Sequence, residues 1–345
     1  MTSLVTGGAG FVGTNLAARL LQAGERVVVL DDLSRPGVRT NLQWLEHTHP
    51  DRLEVVRGDV RSADDVRTAA RKADRVFHFA AQVAVTTSVT EPVHDYSVNL
   101  GGTIALLEEL RRRSDPPPLL FTSTNKVYGK LAGLRVEQRG GRYEPVDEQV
   151  REHGIGEHWP LQFASPYGCS KGGADQYVLD YAQTYGMPHV VFRMSCIYGP
   201  HQQGNEDQGW VAHFLLQARD RAPITLYGDG RQVRDVLYVD DLLDAMELAI
   251  GAADDLRGQA FNMGGGPQST VSLLELLELI GTLGPAPEVR FGDWRVGDQR
   301  YYVSDTRRFA EATGWAPKTS PEEGVKLLHD WLASSGARVA ASRAG

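Results

Sequence analysis

Seven residues near the N-terminus, Gly7-Gly8-Ala9-Gly10-Phe11-Val12-Gly13, constrain this chain more than any other stretch. They follow a short apolar strand, Ser3-Leu4-Val5-Thr6, and open a helical segment from Thr14 to Ala23. A valine-rich strand from Glu25 to Leu30 comes next and ends in Asp31-Asp32. Strand, glycine turn, helix, strand and acid in that order specify a βαβ unit whose first turn binds a dinucleotide. Gly7, Gly10 and Gly13 let the backbone approach a pyrophosphate, which the helix N-terminus attracts. The plain alternative is a turn rich in glycine for tight packing alone, and it leaves the acid about twenty positions on without a purpose. A carboxylate at Asp31 binds ribose hydroxyls and repels a 2′-phosphate, so NAD is expected rather than NADP. Arg35 nearby is the opposing feature.

The alternation continues. Leu53-Glu54-Val55-Val56 ends at Gly58-Asp59-Val60, and Arg75-Val76-Phe77-His78-Phe79 at Ala80-Ala81-Gln82. A helix carrying Asn99 follows, then Leu119-Leu120-Phe121, ending at Thr122-Ser123-Thr124-Asn125, and later His189-Val190-Val191-Phe192-Arg193. Continuously apolar strands separated by helices indicate an α/β fold, a doubly wound parallel sheet of Rossmann type covered on both faces. Ligands in such sheets bind beyond the carboxyl ends of the strands, where Asp59, Gln82 and Thr124 stand. His78 reads as a satisfied core histidine and Asp59, on the plainer view, as a turn cap. The expected first domain spans residues 1–193, with 239–263 returning to it. Residues 130–164 form a long polar insertion, read as a lid or wall. Past Gly199-Pro200-His201 the rhythm breaks, and 194–335 form a smaller second α/β lobe. Residues 336–345 carry no pattern and are expected to be a disordered tail.

Composition narrows the class. A formal net charge of −8 argues against a nucleic-acid binder. No apolar run is long enough to span a membrane, and the N-terminus enters a strand at once, without a signal-peptide pattern. Two cysteines, Cys169 and Cys196, make no disulfide framework, so cytoplasm is the expected compartment. The ten histidines are scattered, and no metal site is expected.

One further stretch carries chemistry. In Ser165-Pro166-Tyr167-Gly168-Cys169-Ser170-Lys171, a Tyr and a Lys stand one helical turn apart on one face. A phenol is a poor base at neutral pH. An ammonium one turn away stabilises the phenolate, and so would the positive ring of an oxidised nicotinamide. The pair can then accept a proton from a sugar hydroxyl. Alone, the spacing fits an ordinary helix face equally well.

Gly7-x-x-Gly10-x-x-Gly13, Asp31, Thr124 after the fifth strand and Tyr167-x-x-x-Lys171 together resemble the extended short-chain dehydrogenase/reductases, the nucleotide-sugar epimerases and dehydratases, over roughly residues 3–335. The resemblance implies tightly bound NAD regenerated at each turnover, a C-terminal lobe for a nucleotide-diphosphate sugar, and Thr124, Tyr167 and Lys171 as the catalytic set. It also implies that Phe11, Val12, Asp31, Asp32, Ser34, Arg35, Asp59, Val60, Ala80, Ala81, Gln82, Asn99 and Met194 line the cofactor, with Tyr167 and Lys171 at the nicotinamide ribose. Arg234 and Arg295 match diphosphate contacts, surface salt bridges being the alternative. Gln82, Ser88, Asn125, Lys126 and Gln208 are the remaining expected substrate contacts. Ser123-Thr124-Asn125-Lys126-Val127-Tyr128-Gly129, the Tyr167 stretch and Asp207-Gln208-Gly209-Trp210-Val211 resemble the subgroup that epimerises CDP-paratose at C2. Met194 and Cys196 stand where that subgroup has more polar residues. Relatives that remove water carry Asp-Glu after the Thr; here Asn125-Lys126 supplies no acid to protonate a departing hydroxyl. A 4-epimerase acting on a UDP-sugar, and a non-catalytic NAD sensor, are the competing readings. The resemblance further implies a homodimer or homotetramer paired through segments near 95–112 and 172–186.

Overall fold

The computed structural model describes residues 1–295 and 298–335; the expected disordered tail, 336–345, lies outside the described residues. Among the described residues fifteen strands occur in chain order: β1 (Thr2–Thr6), β2 (Arg26–Asp31), β3 (Leu53–Arg57), β4 (Arg75–His78), β5 (Leu119–Thr124), β6 (Val136–Arg139), β7 (Arg142–Pro145), β8 (His189–Met194), β9 (Cys196–Tyr198), β10 (Ile224–Tyr227), β11 (Val233–Tyr238), β12 (Gln259–Met263), β13 (Thr270–Ser272), β14 (Val289–Gly292) and β15 (Tyr301–Tyr302). The chain divides into two compact units, one of Met1–Val127, Ser165–Arg193 and Leu243–Phe261, the other of Tyr128–Ala164, Met194–Leu242 and the chain from Asn262.

A seven-stranded sheet ordered β12-β8-β5-β4-β1-β2-β3 organises the first unit. β1 pairs in parallel with β2 on one side and β4 on the other, with Thr6 opposite both Leu30 and His78. The connection from β3 to β4 therefore crosses over β1 and creates the switch point beyond whose carboxyl ends such sheets bind ligands. Leu4, Val28, Leu30, Val76 and Phe121 are buried on the sheet, and Leu106, Leu107 and Leu110 cover them from the helix Gly102–Arg111. Their spacing is that of one helical face.

His78 is the satisfied core histidine that the sequence suggested. Its Nδ1 lies 2.6 Å from Thr6 Oγ1 and its Nε2 3.0 Å from Thr103 Oγ1. Thr6 Oγ1 already accepts the N–H groups of Phe79 and Ala80, so its own proton goes to Nδ1 and the imidazole carries its proton on Nε2. Burial lowers the His78 pKa to about 3, with the Lys171 charge acting in the same direction, and the ring is neutral.

In the second unit β11 is central. It runs antiparallel to β13 and parallel to β15 and β9. Asp235, fully buried on β11, accepts hydrogen bonds from Ser195 Oγ, Gly266 N and Ser304 N. The helices Trp210–Arg219, Leu273–Leu283 and Pro321–Ser335 contribute Leu215, Leu276, Ile280, Leu328 and Leu332 to a separate core.

The insertion is where the expected domain boundary moves. Residues 128–164 do not belong with 1–127 but with the second unit. The cause is a set of bonds that local sequence does not announce. Tyr128 OH donates to Asn262 Oδ1 at 2.7 Å, Tyr143 N–H to the Arg231 carbonyl at 3.0 Å and Tyr143 OH to Asp229 at 2.7 Å. The β6–β7 hairpin and the helix Glu148–His153 are thereby part of that unit. Among the described residues no helix is long and apolar enough to cross a membrane, and no group of His, Cys, Asp or Glu is arranged to hold a metal.

Candidate active site

The helix Phe11–Gln22 begins directly on the glycine turn, with Gly10 as its N-cap. No side chain caps it and no carboxylate occupies its first turn, so its leading N–H groups remain for an anion. Gly7 has φ 66°, and a Cβ there would stand 2.7 Å from Ala80 N. A Cβ at Gly13 would stand 2.6 Å from Gly8 Cα and strike the Gly7 carbonyl. Around Gly10 the only atom that a Cβ would approach is Gly7 O, at 3.1 Å, which leaves its outer side open. Asp31, at the end of β2, accepts from Ala9 N at 3.0 Å and Leu33 N at 2.9 Å, tying strand to turn. Burial raises its pKa against those two bonds. Half-buried Phe11 and Val12 follow the turn. These residues fit NAD: an open glycine turn, free amides at a helix start and a carboxylate one strand away.

The other expected cofactor residues divide. Ser34 donates to Asp32 through both N–H (3.0 Å) and Oγ (2.7 Å) in an exposed turn. Arg35 is exposed overall, yet its guanidinium is desolvated among protein groups, which lowers its pKa while Asp31 and Tyr167 favour its charge. Val60 is buried beneath Gly102, Ala80 N–H bonds Thr6 Oγ1, and Ala81 is half-buried. Asp59 behaves as the plainer view had it: its carboxylate accepts Arg61 N at 2.8 Å and Arg61 Nε at 2.9 Å, and Arg61 holds its pKa below the usual carboxylate range. Asn99 sits in a π-helical turn, Ser97–Gly101, a local widening common at functional sites. Its amide is engaged inside the unit, with Gln82, Asp95 and Ser170.

The catalytic candidates come together. β5 ends on Thr124, whose Oγ1 accepts Lys126 N–H at 3.2 Å. The helix Ser165–Thr184 supplies Tyr167 and Lys171, and Thr124 lies close enough to the Tyr167 phenol to favour its ionised form. Ser165 opens that helix at φ 67°, a conformation that is strained for a residue other than glycine. Burial pushes the Tyr167 phenol up to about 12; the Thr124 bond and the Arg35 charge pull it down, and Asp95 pushes it up. Lys171 is 3% exposed, with Nζ 4.2 Å above the Phe121 ring centre. Burial brings its ammonium down to about 7, against Asp175 and Asp95. The groups that lower the phenol in this structure are Thr124 and Arg35.

Asn125 is buried, with Oδ1 3.5 Å from Thr124 Oγ1. Two expected sugar contacts are otherwise engaged. Ser88 is fully buried and gives its proton to the Val85 carbonyl at 2.7 Å. Gln82 Nε2 donates to Asp95 at 2.8 Å and to the Ala84 carbonyl at 2.9 Å, and its Oε1 accepts Ala84 N–H. Ser88 is taken up by backbone within its own helix Val85–Thr90, and Gln82 by the turn before that helix and by Asp95.

The remaining candidates belong to the second unit. Arg234, at the start of β11, donates to the carbonyls of Val233 (2.8 Å) and Gln299 (2.6 Å), and burial lowers its pKa. Arg295 stacks 3.8 Å over the Tyr227 ring and holds the Glu206 carbonyl at 2.7 Å and Asp207 at 3.2 Å. Gln208 lies on that same loop, its N–H bonded to Asn205, and Met194 is half-buried at the end of β8.

Sequence reasoning missed Asp95, Ser170 and the pair Asp175–Arg193. Arg193 grips Asp175 with two bonds, 2.8 and 3.0 Å, both residues buried. A signal existed: Asp175 stands one turn beyond Lys171, and Arg193 interrupts an apolar strand.

Comparison with known proteins places this arrangement. Residues 3–264 match the profile of the NAD dependent epimerase/dehydratase family. The chain belongs to that family. It is 41% identical to a CDP-paratose 2-epimerase from Salmonella typhi, over 97% of this chain and 100% of the relative. It is 33% identical to a UDP-glucose 4-epimerase from Mycolicibacterium smegmatis, over 94% and 96% respectively. Among solved structures, the Thermus thermophilus UDP-glucose 4-epimerase in complex with NAD superposes with a TM-score of 0.81 at 34% identity, covering 97% of this chain and 100% of that one. Like the family it belongs to, the protein is an NAD-dependent α/β enzyme of the epimerase/dehydratase type.

Two outcomes are expected. Gly13→Ala forces a methyl against the backbone of the glycine turn and costs about 1–3 kcal/mol of stability, read from denaturant midpoints, together with loss of co-purifying NAD. The second concerns pH. In protein stripped of nucleotide, unfolded Lys171 keeps its usual value of 10.5 while the folded value is about 7, so between those limits only the unfolded chain holds the proton. Unfolding free energy should therefore rise as pH increases from 7 toward 10.5, and Lys171→Met should lose that increment.

Proposed function

We propose that this protein inverts C2 of a CDP-linked sugar by transient oxidation to the 2-keto sugar and re-reduction. The observation that carries the redox chemistry is the buried cluster of Thr124 and Tyr167 with Lys171 one turn away. A carbinol carbon with no adjacent carbonyl has no acidic proton, so proton abstraction alone cannot invert it. When bound, NAD supplies a hydride acceptor for C2 and gives the hydride back, so no external oxidant or reductant is consumed.

The residues then have defined tasks. Tyr167 as phenolate takes the C2 hydroxyl proton as the C–H bond breaks and returns it when the ketone is reduced on its other face. Thr124, fixed by Lys126 N–H, hydrogen-bonds the reacting oxygen. A phenol near 12 requires a positive neighbour to ionise at neutral pH. Arg35 and the bound cofactor ring are the sources of that charge. Asn125 and Lys126 are assigned to the sugar. In the second unit Arg234 and Arg295 offer forked donors for the diphosphate, and Gln208 rides on the loop that Arg295 holds. Binding energy from the nucleotide end keeps the keto sugar from leaving.

The choice of C2 and of the cytidine nucleotide is supported by the 41% identity to the CDP-paratose 2-epimerase over that relative's whole length. Asn125-Lys126 after Thr124 offers no acid for dehydration. Action on a UDP-sugar at C4 is the competing reading, supported by the 33% identity to the UDP-glucose 4-epimerase. We also infer that copies pair through the segments near 95–112 and 172–186, where Tyr96, Tyr177 and Tyr185 are exposed.

Purified protein given CDP-paratose, CDP-glucose or UDP-glucose without added NAD should invert C2 of a CDP-sugar, read by NMR. Tyr167→Phe should retain NAD and lose turnover by about a hundredfold or more. Inversion at C4 instead, or near-normal turnover by Tyr167→Phe, would sink the reading.

A further inference from the structure

The first unit contains a carboxylate cut off from water whose purpose the family motifs do not explain. Asp95, on the short helix Pro92–Tyr96, is 0% exposed. One oxygen accepts Gln82 Nε2 at 2.8 Å and Asn99 Nδ2 at 3.2 Å, and the other accepts Ser170 Oγ at 2.5 Å. A buried carboxylate is tolerated only with such donors around it, and removing it would leave those donors buried without an acceptor.

The three donors join separate parts of the chain. Gln82 lies just beyond β4, Asn99 in the π-helical turn, and Ser170 one residue before Lys171 on the catalytic helix. The array is closed: Gln82 N–H donates to Asn99 Oδ1 at 2.8 Å, Asn99 Nδ2 to the Gln82 carbonyl at 3.0 Å and to Ser170 Oγ at 3.0 Å. With both Nε2 protons of Gln82 committed, Asp95 decides which way that amide faces.

We propose that Asp95 is a positioning residue for the reaction: its carboxylate locks Gln82, at the end of β4, to Ser170 on the catalytic helix and supplies the negative charge that Tyr167 and Lys171 face. The proposal rests on the reading that Tyr167 and Lys171 run the chemistry. Around Tyr167 the other acting groups are Thr124 and Arg35. Around Lys171 they are Asp175, itself paired with Arg193, and the neutral His78. Around Asp95 they are Ser170, Gln82, Lys171 and His94. The Asp95 charge favours the protonated form of Lys171 and opposes ionisation of Tyr167.

The test needs no substrate at its first step. The phenolate absorbance of Tyr167, obtained as the difference between NAD-saturated protein and its Tyr167→Phe variant, is titrated with Asp95 intact and again with Asp95→Asn. The expected Tyr167 midpoint falls by about one pH unit in Asp95→Asn; an unchanged midpoint overturns the proposal. Ser170→Ala keeps the charge and removes one strut. Its kcat should fall about tenfold, with KM little changed and no fall in the Tyr167 midpoint; wild-type kcat overturns the positioning role. Should Asp95→Asn not fold, Ser170→Ala decides alone. Absence of turnover with every sugar in the unsubstituted protein would fail the proposed function, while the titration would still decide the role of Asp95.

Discussion

A lysine held away from water is the constraint around which the first unit is arranged. Lys171 lies one helical turn from Tyr167 and over the Phe121 ring, and that place is dry. Burying an ammonium is unfavourable unless other charges answer it. The answer comes from Asp175, clamped by Arg193, and from Asp95, clamped by three donors. Each counter-charge is itself buried and each needs its own partners, so the polar array extends from the end of β4 through the π-helical turn to β8. The sheet supports this with apolar runs, residues 27–30 of β2 and 119–121 of β5, and polar residues such as Asp31 and Thr124 at the carboxyl ends.

The same arrangement explains why the acid–base pair is quiet on its own. Tyr167 is pushed up and Lys171 down, both by burial, so without an added positive charge the phenol keeps its proton. A base that ionises only beside a charged cofactor ring is a base only when the oxidant is in place. The glycine turn makes the matching provision for that oxidant. Gly7 and Gly13 pack backbone on backbone more closely than any side chain permits, and the uncapped helix start is left open.

Much of this was legible in the chain, and for a local reason. Strand β1, the glycine turn, the helix Phe11–Gln22 and Asp31 follow one another within a few residues, and each carries its own signal of apolarity, φ or charge. Tyr167 and Lys171 are one turn apart, so their shared face needs no tertiary knowledge. The failures concern partners that are distant in sequence. Nothing in residues 130–164 says that Tyr128 will meet Asn262 or that Tyr143 will meet Asp229. Asp95 gives no sign of being buried until the π-helical turn and the catalytic helix close over it.

The central claim is that hydride leaves and returns to the same carbon of the same sugar molecule within one dry site. CDP-sugar carrying both deuterium at C2 and heavy carbon in the ring, mixed with unlabelled CDP-sugar and turned over without added NAD, tests it directly by mass spectrometry. The account predicts that deuterium stays at C2 and only on heavy-carbon molecules, in substrate and epimer alike. Deuterium lost to water, or spread onto unlabelled sugar, would contradict it.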